Sequence, residues 1–198
     1  MNPINPGFYL ASSSPRRREL LAGVGLCFES IRLEFDESSF DGETPVDFVR
    51  RMAHEKVILA AGHIEQEGLP ELPVLAADTC VTIDGRILGK PRDIGHARSM
   101  LRTLSGRTHQ VLTAVALKDG GSTWEELCSS RVTFGEILPQ ELEAYCSSGE
   151  PDDKAGAYGI QGQGAAFVKR LEGSYTGVVG LPLYETRCLL KKINIDWL

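Results

Sequence analysis

Strand-like and helix-like stretches alternate along this chain, which is the pattern of an α/β protein and the strongest constraint on its fold. "GFYLASS" is a short apolar strand that ends in hydroxyls. "SPRRRELLAGVG" then starts a helix, with Ser14 as N-cap, Pro15 in the first helical position and Gly23 or Gly25 as the stop. "CFESIRLEF" reads as a second strand over 27–35 that runs into acidic Asp36 and Glu37. In "TPVDFVRRMAHEKVILAAGHI", Thr44 precedes Pro45, and Val46, Val49, Met52, Ala53, Val57, Ala60 and Ala61 recur at helical spacing, with Lys56 on the same helix. "LPVLAADTCVTIDGRILGKP" reads as a strand ending near Asp78, a hairpin-like turn at Asp84 and Gly85, and a loop at Gly89 to Pro91. A helix follows over 93–106, then two long strands joined at Gly120 and Gly121, a helix over 139–147, a glycine-rich stretch over 149–173 and a terminal helix over 181–193. No repeat, low-complexity tract or flexible linker interrupts this order, so residues 1–198 are expected to form one domain with two lobes around a cleft.

Composition limits what such a fold can bind. With 198 residues and 42% hydrophobic content, the chain can bury a proper core. A formal net charge of -6 opposes nucleic-acid backbones and anionic membranes, so an anionic ligand must find a local positive site. The five cysteines, Cys27, Cys80, Cys128, Cys146 and Cys188, contain no C-x-x-C pair, and their odd number suits a reducing cytoplasm. The first residues lack a basic and apolar leader, and no apolar run nears the roughly 18 residues of a membrane span. A cytoplasmic protein is expected, with neither nucleic acid nor membrane as partner.

Four stretches carry candidate chemistry. "LASSSPRRRELL" puts three hydroxyls and three arginines at a helix start, where free amides and the macrodipole favour an anion by about 0.3–1 kcal/mol. Arginines there oppose the dipole, which makes a merely solvated basic turn the poorer structural choice without excluding it. Successive helical residues point about 100° apart, so one or two of Arg16, Arg17 and Arg18 are expected to reach a shared ligand. Asp78 follows an apolar run in "VLAADTC", a place for a carboxylate that activates water or holds a cation, and equally for a residue in an Asx turn. Lys56 on its helix and Lys90 in "ILGKPRD" offer point charges to phosphate, although either alone is an ordinary surface lysine. In "AGAYGIQGQG" the glycines indicate backbone passing close to something, and Gln161 offers a donor and an acceptor to a base edge. "HEKVI" is not H-E-x-x-H, "GIQGQG" is not G-x-G-x-x-G, no G-x-S-x-G elbow occurs, and no His/Cys cluster has zinc spacing. Phosphate chemistry with a carboxylate and a metal remains.

Taken in order, "LASSSPRRRELL", "VLAADT", "LGKPRD", "LSGRTHQVLTAVAL", "DKAGAYGIQGQGAAFVKRLEGSY" and "VVGLPL" resemble the Maf family of nucleoside triphosphate pyrophosphatases, from about Phe8 to Leu190. The resemblance implies a mixed, twisted sheet with flanking helices in two lobes around a substrate cleft, shared in outline with inosine triphosphate pyrophosphatases. It implies hydrolysis of a nucleoside triphosphate to monophosphate and pyrophosphate with a divalent cation, Mg2+ or Mn2+. It maps the proton acceptor to Asp78, the phosphate-binding turn to Ser12, Ser14, Arg16 and Arg17, and the two lysines to Lys56 and Lys90. The acidic pair maps to Asp36 and Glu37, with Glu37 carried as metal ligand beside Asp78. Ala76 stands where relatives often have Gly, and residues 1–7 are an unmatched extension.

The resemblance also bears on substrate. A branch that prefers 7-methyl-GTP has Trp, Gln and Glu where this chain has Arg16, Thr79 and Gln161, whereas the branch acting on dTTP and UTP has the residues found here. Thr79 and Gln161 therefore join the expected substrate-binding set, with dTTP and UTP as expected substrates and modified pyrimidine triphosphates beside them. Rival expectations are a pyrophosphatase for 7-methyl-GTP or another non-standard purine triphosphate, and a non-catalytic nucleotide sensor in septum or division control. A homodimer stays open, because no interface stripe stands out.

Overall fold

Phe8, Tyr9 and Leu10 are almost wholly buried, and they open the sheet with the strand Tyr9–Ala11 (β1) in the computed structural model, which describes residues 7–34 and 36–197. The helix Pro15–Gly23 (α1) follows with Ser14 as N-cap and Pro15 as its first residue, as the sequence requires. The strand expected over 27–35 is confined to Glu29–Ile31 (β2), because its parallel partner β1 is itself three residues long; Phe35 lies outside the described residues. Thr44 caps the long helix Pro45–Gln66 (α2) by accepting from the Asp47 amide. This helix buries Phe48, Val49, Met52, Ala53, Val57, Ala60 and Ile64 against the sheet.

The next strand, Val74–Ile83 (β3), does not end near Asp78 but runs through it. Cys80, Val81, Thr82 and Ile83 extend the strand-forming run beyond the carboxylate, and cross-strand pairing holds it extended. Asp84 and Gly85, with φ of 53° and 72°, make the tight turn into Arg86–Leu88 (β4), antiparallel to β3. Ile94–Leu104 (α3) leads to the long hairpin Thr108–Asp119 (β5) and Ser122–Phe134 (β6), and Pro139–Ser147 (α4) follows. The glycine-rich stretch resolves into two 3-10 turns, Ala155–Ala157 and Gln163–Phe167, and a strand, Val168–Glu172 (β7), that its glycine content concealed. Tyr175–Val179 (α5) and Leu183–Lys191 (α6) complete the chain order.

The sheet is mixed, in the order β2-β1-β3-β5-β6-β7, with β4 also on β3. On one face α2 packs over Tyr9, Ala76, Cys80, Leu112, Ala114 and Ala116. The other face carries two separate cores. Leu21 of α1 and Leu189 and Leu190 of α6 cover Leu75, Ala77, Val115 and Leu117, while α3 and α4 cover Val81, Ile83, Val111, Val132 and Phe134. These are the two lobes. Met52 and Leu117 are fully buried, and truncating either to alanine should cost about 2–5 kcal/mol. Among the described residues no helix is long and apolar enough to cross a membrane.

One irregularity makes the cleft. On the edge of β3 away from β5, β1 pairs only at Val74 and Leu75, and β4 pairs only from Val81 onward. Among the described residues, the backbone of 76–80 therefore has no strand neighbour on that edge. Successive strand residues point to opposite faces, so Asp78 faces α2 and Thr79 the other side, yet both border the space opened by the missing strand.

Candidate active site

That space is a cleft of about 850 Å³ between the lobes, large enough for a nucleotide. Ser12 and Ser14, Arg16 and Arg17, Glu37, Lys56, Asp78 and Thr79, Lys90, and Gln161 all border it, so the fold brings these residues, though not Asp36, together. They come from the β1–α1 turn, the segment after β2, α2, β3, the loop after β4, and the turn between the two 3-10 segments. Arg18 instead donates to the Ser13 carbonyl at 3.2 Å, and Asp36 accepts from the Ser38 amide at 2.9 Å. Two of the three arginines reach the cleft, as helical geometry requires.

The β1–α1 turn presents donors. Ser14 makes no side-chain cap bond and no acid lies in the first turn of α1, so neither a cap nor a first-turn carboxylate offsets the positive end of the helix. Half-buried Arg17 is pinned at three points: Nε donates to the Gly180 carbonyl at 2.8 Å, Nη1 to Ser12 Oγ at 3.3 Å and Nη2 to Thr79 Oγ1 at 3.3 Å. All three acceptors are neutral. Burial draws the guanidinium below its ordinary pKa, and the fields of Asp78 and Glu37 oppose that shift.

Opposite stands an ion cluster. Lys56 Nζ donates to Asp78 Oδ1 at 2.6 Å and Glu37 Oε1 at 3.0 Å, and Lys90 Nζ donates to Glu37 Oε2 at 2.9 Å. Asp78 is 7% exposed, held by α2 behind it. Desolvation pushes the Glu37 carboxyl upward, but the two lysines outweigh it and hold the pKa at about 2. Arg16 reaches across the mouth to Asp153 at 3.1 Å.

Asp78 and Glu37 flank a single ammonium, so their oxygens are close enough to serve one cation. Two carboxylates with phosphate and water oxygens are the donor set that Mg2+ or Mn2+ takes when it rides in with a nucleotide. The residues fit such an ion. Among the described residues no group of three or more His, Cys, Asp or Glu side chains assembles.

The lip bearing Gln161 is tied down by Glu150. Its carboxylate accepts from Tyr145 Oη at 3.0 Å and from the Gln163 and Gly164 amides at 2.8 and 3.1 Å. This is what the glycines approach: a Cβ at Gly162 would collide with the Glu150 carboxylate, and one at Gly156 (φ +69°) with Val81. Sequence reading missed Glu150 and Gly180, and also Tyr158, which lines the cleft, and Thr113, whose Oγ1 lies 3.0 Å from Thr79 Oγ1. Only Thr113 left a usable signal, a lone hydroxyl in the apolar run "VLTAVAL".

The family described as Maf-like protein matches residues 7–193. This chain belongs to the Maf family. Curated relatives include the dTTP/UTP pyrophosphatase of Nitrosomonas europaea, 49% identical with 99% of each chain covered, and that of Chromobacterium violaceum, 50% identical with 95% of each chain covered. A Haemophilus ducreyi relative, 48% identical over 95% of each chain, is called nucleoside triphosphate pyrophosphatase. The Maf match begins at Gly7, one residue before the first position the sequence motifs reach.

Proposed function

We propose that this Maf-family protein is a pyrophosphatase of free dTTP and UTP, cleaving each to the monophosphate and pyrophosphate in the cleft. The observation that carries the reading is the pairing of walls: Arg17 with the α1 start on one side, and Lys56 between Asp78 and Glu37 on the other. The names of relatives near 50% identity supply the substrate class.

Each residue then has a task. The α1 amides, Ser12, Ser14, Arg16 and Arg17 take phosphate oxygens, with Lys56 and Lys90 opposite, so the charged chain is held straight for in-line attack. Asp78 accepts the proton of the water that attacks the α-phosphorus, and Lys56 fixes where that carboxylate lies. Attack at α and not at γ releases pyrophosphate in one piece. Glu37 and Asp78 would hold Mg2+ or Mn2+, which when bound neutralises phosphate oxygens and acidifies water. Gln161 presents its amide to the O4 and N3–H edge of uracil or thymine, an edge on which a carboxylate could not donate. Arg16, Thr79 and Gln161 together favour this reading over 7-methyl-GTP.

The deciding experiment incubates the purified protein and magnesium or manganese with UTP, dTTP and 7-methyl-GTP and resolves the products. Monophosphate plus pyrophosphate from UTP and dTTP is expected. Intact nucleotide would favour a sensor, orthophosphate release would move attack to the terminal phosphorus, and faster turnover of 7-methyl-GTP would overturn the pyrimidine assignment.

A further inference from the structure

On the face shared by α1, α3 and α6, β3 and β5 are apolar along the stretch between the two lobes except at one rung. Leu75 and Ala77 belong to one lobe's core, and Val81 and Ile83 to the other's. Between them stand Thr79 and Thr113, direct cross-strand partners. Thr113 is 1% exposed, and a hydroxyl buried that deeply is costly unless it is bonded.

It is bonded on both sides. Thr113 Oγ1 donates to the Gly177 carbonyl of α5 at 2.8 Å and lies 3.0 Å from Thr79 Oγ1, which in turn lies 3.3 Å from Arg17 Nη2. Counting protons sets the direction. A carbonyl only accepts and a guanidinium only donates, and each threonine has one hydroxyl proton. Thr113 gives its proton to Gly177, so Thr79 must give its own to Thr113, and the Thr79 oxygen accepts from Arg17. The chain runs one way, from cleft to α5, and α5's own C-cap, Gly180, takes the Arg17 Nε proton as well.

We propose that Thr113, acting through Thr79, is a positioning residue for Arg17, and that Thr79 influences the substrate through Arg17 because its only proton is committed to Thr113. The proposal rests on the reading of Arg17 as a phosphate-binding group. It assigns to a fully buried β5 hydroxyl, which touches no ligand, part of the grip on the phosphate chain.

The test compares Thr113→Val, which keeps the shape and removes the hydroxyl, with Thr113→Ser, which restores it. Thr79→Val breaks the same chain at its more accessible link and stands in if Thr113→Val folds poorly. Two quantities are read: kcat/KM for UTP with magnesium, and calorimetric Kd for inorganic tripolyphosphate. Either valine variant should lower kcat/KM and raise the tripolyphosphate Kd, each about tenfold, and Thr113→Ser should stay within about twofold of the parent. In an Arg17→Lys background, Thr113→Val should add less than about twofold, whereas its loss of melting temperature should be the same in both backgrounds. Valine variants within twofold of the parent, effects that multiply with Arg17→Lys, or a serine variant as poor as valine would each overturn the relay. If the parent leaves UTP intact but binds tripolyphosphate, the functional reading falls and the binding arm still judges the relay; if it binds none, both fall.

Discussion

The two walls of the cleft carry positive charge in opposite ways. Arg17 leans on a carbonyl and two hydroxyls, none of which cancels its charge, so it is held in place yet remains available to an anion. Lys56 and Lys90 lean on Asp78 and Glu37, so their charge is already matched inside the protein. Neutral acceptors fix geometry and leave the field intact; carboxylates fix geometry and consume it. A phosphate chain can therefore add to the arginine wall directly, whereas at the lysine wall it must compete for the ammonium groups or arrive with a cation that takes over the carboxylates.

The contrast breaks most visibly at Asp78. Asp78→Asn keeps an oxygen for Lys56 but removes the proton acceptor, and pyrophosphate release from UTP should fall at least about a hundredfold. Near-normal turnover would assign the base elsewhere. Acid should then act on the core beside the cleft and on the lysine wall at different pH. Desolvation pulls His109, which shares a β5 face with Thr113 and meets Tyr158 Oη at 2.8 Å, from 6.5 down to about 4. Its folded pKa is depressed, so stability is full above about 6.5 and falls as the unfolded chain takes the proton first, by about 3 kcal/mol on reaching pH 4. Glu37 is likewise depressed, from 4.5 to about 2, so its lysine contacts contribute fully above 4.5 and are lost only as pH drops through about 2. Denaturant titrations across pH 7 to 4 should show a slope that His109→Gln removes and Glu37→Gln leaves.

Arg17→Lys tests the preorganised wall itself. One ammonium cannot serve three acceptors in fork geometry, and kcat/KM for UTP should fall about tenfold to a hundredfold. Glu37→Gln should do something different. With Lys90 released from Glu37 and Lys56 left to Asp78, metal-free tripolyphosphate should bind several-fold tighter by calorimetry, roughly the strength of one charge pair, while metal-supported turnover drops. Weaker metal-free binding would show that the lysines were never held back. The smallest effect belongs to the mouth, where Asp153 is 60% exposed: Asp153→Asn should free Arg16, lower the UTP KM less than about threefold and leave the melting temperature unchanged.

Much of this was legible in advance where it rests on neighbours in the chain. Pro15 at a helix start, the apolar period of α2 and the Asp84–Gly85 turn are local consequences of backbone sterics, and they stand where the pattern puts them. The β3 strand was less legible, because an aspartate after an apolar run looks like an end. Asp78 sits mid-strand because β5 pairs along the whole of 74–82 while β1 stops early. In 149–173 the glycine count concealed β7, whose partner β6 lies about forty residues upstream in the chain and leaves no local trace. The site residues were found by residue type and motif; what each one touches was not, as Arg17's bond to Gly180, 163 residues away, illustrates.

By itself the chain's order of residues determined the α/β alternation, the chemical kinds gathered for a phosphate ligand, and membership in the Maf family. Tertiary structure alone decided that Asp78 and Thr79, adjacent and pointing to opposite faces, share one cleft, because only strand pairing can leave an edge of β3 open. It also decided which cations keep their field. Charge in a sequence is a count, whereas its availability depends on whether the nearest acceptor in space is a carbonyl or a carboxylate.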